Sequence, residues 1–182
     1  MGMVAPGNYT ADMVRALPDD GNRYELVDGE LLVSPAPRGW HQAIVLRLGS
    51  ALLAYLKQDQ VGHVWLSPAD ISWTARDLVQ PDVFVVPLDQ SRTLDWAQMK
   101  HLLLVAEVLS PSTARADRFT KRRRYQRAGV PLYWIVDGDE HRVEVWTPES
   151  EEPEFESNRI VWRPAGAATP FELDLGELFQ PI

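Results

Sequence analysis

The 182-residue chain contains no cysteine, which removes disulfide staples, thiolate zinc sites and thiol nucleophiles together. A reducing, cytoplasmic setting is therefore the expected location. No apolar run approaches the roughly 20 residues that span a bilayer, and the first residues lack the basic start and apolar stretch of a secretion signal. No internal repeat, low-complexity tract or composition break marks a boundary. Residues 1–182 are therefore expected to form a single domain, long enough to bury a substantial core. Residues 1–9 precede the first helix signal and are expected to be flexible.

A net charge of −8 argues against a passive nucleic-acid coat, which would be basic overall. The charge is uneven, however. Arg115, Arg118, Lys121, Arg122, Arg123, Arg124 and Arg127 face Asp117 alone, a local balance of +6 that leaves −14 for the remainder. An acidic body can carry a local anion-binding face of this kind, although a solvated helix face has the same composition.

Pattern supplies the elements. Thr10 caps a short helix that Pro18 ends. Asp28-Gly29 between two apolar segments signals a tight N-terminal hairpin. Ile44, Val45, Leu48, Leu52, Tyr55 and Leu56 recur at helical spacing, so a long helix is predicted from about Trp40 to Gln58. Strands are predicted over 63–66, 71–74, 83–86, 102–109, 131–136 and 142–146, with a last one near Ile160. The continuous apolar runs at 83–86 and 102–109 suit strands covered on both faces. A helix is expected over 114–128, ended by Gly129, and residues 149–157 read as an exposed acidic loop. The order of elements indicates an α/β protein.

Three residues carry the chemistry. Asp82 follows proline at the start of an apolar strand, and Glu107 lies inside the longest one. Alternation points Val105 and Glu107 one way and Ala106 and Val108 the other. If the two strands are neighbours, both carboxylates share a face, and their repulsion is relieved by a hard dication such as Mg²⁺ or Mn²⁺. Lys121 is the third residue. On an α-helix it shares a stripe with Asp117, Arg124 and Ala128, with Tyr125 beside it. Each residue also has a plainer use. Asp82 can close the Pro81 turn, Glu107 can answer an arginine, and Lys121 can pair with Asp117 at i,i+4.

The run Arg23-Tyr24-Glu25-Leu26-Val27-Asp28-Gly29-Glu30-Leu31, His41, Gln80-Pro81-Asp82-Val83, Glu107-Val108-Leu109-Ser110-Pro111-Ser112-Thr113, Asp117, Lys121, Tyr125 and Gly129-Val130-Pro131-Leu132-Tyr133-Trp134-Ile135-Val136-Asp137 resembles the Uma-two family of endonucleases, within the PD-(D/E)XK nuclease superfamily. The likeness runs from about Thr10 to the C-terminus. It implies a restriction-endonuclease-like core, a central mixed β-sheet flanked by α-helices, with the hairpin at its N-terminal end. Asp82 and Glu107 match the two acids of the superfamily motif. Its lysine normally stands two residues after the second acid, where this chain has Leu109; Lys121 matches the lysine as this family displaces it onto the following helix. Glu25 resembles an additional catalytic acid.

The resemblance further implies a Mg²⁺-dependent (or Mn²⁺-dependent) DNA endonuclease, with the metal on Asp82, Glu107 and the Val108 carbonyl. His41, Asp117 and Tyr125 would support the site. Arg118 and Arg124 would approach backbone phosphates, and a homodimer would suit cutting both strands. The alternatives are a non-catalytic binding module on the same fold and a nuclease for RNA or branched DNA.

Overall fold

The computed structural model describes residues 8–182. Most of the flexible segment expected at 1–9 lies outside the described residues; Tyr9, within them, donates its N–H to Gly29 O at 3.2 Å. Helix α1 (Ala11–Arg15) starts at Thr10, whose side chain accepts from Met13 N. The hairpin of β1 (Asn22–Val27) and β2 (Glu30–Pro35) follows. Its turn holds Asp28 and Gly29 at φ 53° and 84°, the left-handed backbone that Asp-Gly tolerates.

Among the described residues six strands form the main sheet, in the order β3 (His63–Leu66), β4 (Val83–Val86), β5 (Leu104–Val108), β6 (Tyr133–Asp137), β7 (Arg142–Trp146) and β8 (Glu154–Glu156). Only the β5–β6 pair is parallel, which makes the sheet mixed. The parallel pair needs a crossover, and the chain supplies it as a π-helical stretch Ala116–Lys121 running into α4 (Arg122–Arg127). A second, two-stranded sheet pairs β9 (Arg159–Trp162) with β10 (Phe171–Asp174).

Strand alternation divides the core into two halves. Val83, Val85, Leu104, Ala106 and Val108 face helix α2 (Gly39–Gln58), whose Ile44, Val45, Leu48, Leu52 and Leu56 pack on them. Phe84, Val86, Val105, Tyr133 and Ile135 face the other way, onto Val27 of the hairpin and Tyr125 of α4. The start of α2 is fixed by a close approach: a Cβ on Gly138, in the β6–β7 turn, would lie 2.1 Å from a ring atom of Trp40.

Several predicted elements change. Residues 71–74 form no strand: Ile71 makes a single bridge with Val79, and Trp73 turns away to donate its indole N–H to Lys100 O. The acidic loop expected at 149–157 contains β8, because Phe155 lies under the Arg142 guanidinium and the acids sit on an exposed edge strand. The helix expected over 114–128 is π-wound through its first half. The short helices α3 (Leu88–Ser91) and α5 (Leu175–Leu178), and strand β10, are too brief to give a periodic signal.

Two outcomes follow for stability. Gly138→Ala drives a methyl group into the Trp40 ring, an overpacking expected to cost about 1–3 kcal/mol by urea unfolding. Asp77 sits beneath Arg124 (2.8 Å) and also accepts from Thr74. Burial alone would raise its carboxyl; the Arg124, Thr74 and Asp28 N–H hydrogen bonds outweigh that and hold it below its usual value of 3.8. A depressed native value adds stability above the unfolded value and loses it as pH falls. The stability gap between wild type and Asp77→Asn, expected at about 1.5–3 kcal/mol near neutral pH, should therefore shrink as the pH is lowered through 4 towards 3.

Candidate active site

Asp82 and Glu107 meet because of register. Val83 stands opposite Ala106 in the antiparallel β4–β5 pair, so Asp82 stands opposite Glu107 one step further. Both are buried, at 3% and 1% exposure. The backbone ties them: Val108 N–H donates to Asp82 Oδ2 at 2.9 Å, and Asp82 N–H points at Glu107 Oε2 at 3.4 Å. A cavity of about 170 Å³ opens over this pair, bordered also by Val108, His41 and Asp117.

Lys121 reaches the pair from behind. Its Nζ lies 2.5 Å from Glu107, 3.0 Å from Glu25 and 3.4 Å from Asp117, and its side chain is only 2% exposed. The i,i+4 contact with Asp117 is thus the longest of three. Glu25 comes from β1, where it also accepts the Gln80 N–H at 2.8 Å. Tyr125, four residues past Lys121, donates its hydroxyl to the same Glu107 oxygen at 2.8 Å. Lys121, Glu25 and Tyr125 back the pair and do not border the cavity.

Asp82 is held from the other side. Arg23 donates to Oδ1 at 2.7 Å, and His41 Nε2 lies 3.1 Å from Oδ2. Burial alone would raise the Asp82 carboxyl, but the His41 hydrogen bond and the charges of Arg23 and Lys121 hold it below its ordinary range. Glu107 moves the opposite way. Burial, with Asp82, Asp117 and Glu25 nearby, outweighs Lys121 and pushes it well above the carboxylate range. Burial likewise lifts Asp117 to about 6 against the pull of Lys121 and Thr113. Lys121 is pushed up despite burial, because three carboxylates surround it. One ammonium cannot balance those three groups, and the deficit is what a proton or a bound cation would fill.

The residues fit a hard cation by chemistry. Asp82 and Glu107 offer oxygen donors to one cavity, and among the described residues Glu107 Oε2 has only the long contact to Asp82 N–H. Among the described residues no group of three or more His, Cys, Asp or Glu is spaced to enclose a metal ion.

The two arginines expected at the phosphate have other work. Arg118 donates to Glu144 (2.6 Å) and Asp137 (2.9 Å), pinning the crossover to β6 and β7. Arg124 is buried on Asp77 with its guanidinium 4.5 Å from the Trp73 ring centre. The residue that the sequence reading passed over is Arg23. Its signal was present: it lies two residues before Glu25, hence on the same face of β1. Asp77, Asp137 and Glu144 gave no comparable signal, since their partners are distant in sequence.

No helix among the described residues is long and apolar enough to cross a membrane. No curated protein matches the chain. The fold resembles a solved structure of a protein described as a putative nuclease belonging to DUF820 from Anabaena variabilis. That likeness has a TM-score of 0.76 and 22% identity, over 93% of this chain and 97% of the other. The Uma2 family model, described as putative restriction endonuclease, matches residues 11–176. With that match spanning nearly the whole length of the sequence, the chain belongs to the Uma2 family.

Proposed function

We propose that this chain is an endonuclease that hydrolyses phosphodiester bonds of DNA with the help of a divalent cation, Mg²⁺ or Mn²⁺. The observation that carries the reading is the pairing of Asp82 and Glu107 across β4 and β5 at the floor of one cavity, with a buried lysine behind them. Membership of the Uma2 family supports it. A cation held by Asp82, Glu107 and the Val108 carbonyl would neutralise phosphate charge and acidify a water.

The protein's own residues do the rest. Lys121 keeps an ammonium beside Glu107 and, being held itself by Glu25 and Asp117, fixes that carboxylate in one position. Tyr125 stays a phenol, since burial and Glu107 push it well above its ordinary range, and it restrains the same oxygen. His41 orients Asp82 from the first turn of α2. Each contact restricts a carboxylate before substrate arrives, which lowers the reorganisation needed in the transition state.

The decisive assay incubates the purified protein with supercoiled plasmid, linear duplex and single strands in Mg²⁺, Mn²⁺ or EDTA. Cutting is expected with either cation and not with EDTA. Asp82→Ala should lose more than the roughly 10–100-fold typical of an outer-shell partner. Equal cutting by Asp82→Ala, or no cutting of any substrate, would sink the assignment. Lys121→Met leaves buried carboxylates unpaired and is expected to cost about 3–5 kcal/mol of stability by urea unfolding. Adding Glu25→Gln removes one of them and should recover part of that loss.

A further inference from the structure

Arg23 borders two cavities, the one of about 170 Å³ over the carboxylate pair and a neighbour of about 280 Å³. Ala36, Pro37, His41 and Asp82 border both as well, so Arg23 lies with them at the partition between the two cavities. Three cations of the crossover helix are committed elsewhere: Lys121 to three carboxylates, Arg118 to Asp137 and Glu144, Arg124 to Asp77. None of them borders either cavity. Phosphate entering beside Asp82 meets Arg23 and, at the rim, the exposed Arg38.

The contacts of Arg23 make it detachable. Its NH2 bonds Asp82 Oδ1 at 2.7 Å and Ser67 Oγ at 3.0 Å. Asp82 keeps the Val108 N–H and His41 on Oδ2 whether or not Arg23 stays. Withdrawal of the guanidinium therefore leaves no carboxylate without a partner, and it frees Oδ1 beside the cavity. The first turn of α2 adds to the same wall. Arg38 at its N-cap makes no side-chain capping bond and no acid stands in that turn, so the N–H groups of a 20-residue helix remain available to an anion.

We propose that Arg23 is the phosphate anchor of the site: it exchanges Asp82 Oδ1 for a non-bridging oxygen of the substrate phosphodiester, with Arg38 and the start of α2 completing the anion-binding wall. This rests on the reading that a nucleic-acid strand is cut at Asp82 and Glu107. Before exchange, Arg23 and Asp82 neutralise each other and Arg23 contributes little to substrate binding. An Asp82→Asn change removes the competing carboxylate and leaves the guanidinium to the phosphate.

The test is a double-mutant cycle on binding, read by fluorescence anisotropy with labelled single-stranded and duplex DNA in EDTA, so that no cleavage intervenes. Asp82→Asn should bind several-fold more tightly than wild type. Arg23→Gln should weaken binding about tenfold in the Asp82→Asn background, as expected for one charge-assisted phosphate contact. With Asp82 present the same change should cost at most about twofold. Equal losses in the two backgrounds, or no binding by wild type and Asp82→Asn alike, overturn the proposal. If Arg23→Gln melts below the assay temperature, Arg23→Lys replaces it. Loss of the planar fork should then weaken binding about threefold in the Asp82→Asn background only. Plasmid cutting by wild type in Mg²⁺ is scored separately. Cutting with equal losses rejects the anchor and keeps the nuclease, whereas coupling without cutting does the reverse.

Discussion

A fully buried ammonium is the constraint on which the site depends. Taking a lysine out of water costs several kcal/mol unless charged partners surround it, and Lys121 is 2% exposed. Its partners come from three separate parts of the chain: Glu25 from the hairpin, Glu107 from the central strand, and Asp117 from its own π-helical stretch. The hairpin, the sheet and the crossover must all be in place before the charge is answered. The fold and the carboxylate pair are therefore coupled, since disturbing one element exposes the imbalance at the others.

The same electrostatics sorts the basic helix. Seven cations in a short run read as a surface for polyanions, yet the carboxylates of an acidic protein reach most of them first. Arg118 bridges Asp137 and Glu144, Arg124 answers Asp77, and Arg127 pairs with Asp28 at the hairpin turn. Arg122 lies 4.4 Å from the Trp146 ring centre. These contacts fasten the crossover to the sheet on one side and to the hairpin on the other. Cationic character near the cavity comes instead from Arg23 and Arg38, which lie in the stretch between the start of β1 and the start of α2.

Which features were legible in the sequence depended on how local their causes are. Asp28-Gly29 dictates its turn through two backbone angles, and α2 announces itself through six apolar residues at helical spacing; both signals reside within a few residues. Asp82 and Glu107 were legible as charges in apolar strands, and alternation alone put Glu107 beside Val105. What alternation could not supply was register, the opposition of Val83 and Ala106 that sets the two acids face to face. The arginines misled for the same reason: Arg118 and Glu144 are far apart in sequence, so composition shows the cation without its answer. Trp73 misled differently, because its indole bonds a distant carbonyl and pulls the chain out of the strand that its neighbours suggest.

Leu109 shows why an ammonium two residues after Glu107 would be ill placed in this fold. Two residues after Glu107 on the same strand face, that position lies under the second half of the core, where Leu109 packs with Tyr125, Val130 and Tyr133. An ammonium there would sit among apolar and aromatic groups and would have to bend back to Glu107. The crossover offers a better approach, because it runs over the same face and Tyr125 already reaches Glu107 from it. Winding Ala116–Lys121 as a π-helix widens the turn, and Asp117 and Lys121 both end up buried beneath it. π-Helical turns are uncommon and concentrate at functional positions, because their looser backbone is stable only when side chains compensate. Here the compensation is the ion cluster itself. Lys121 thus approaches the central strand from above its face, and the space beside Asp82 stays open as a cavity.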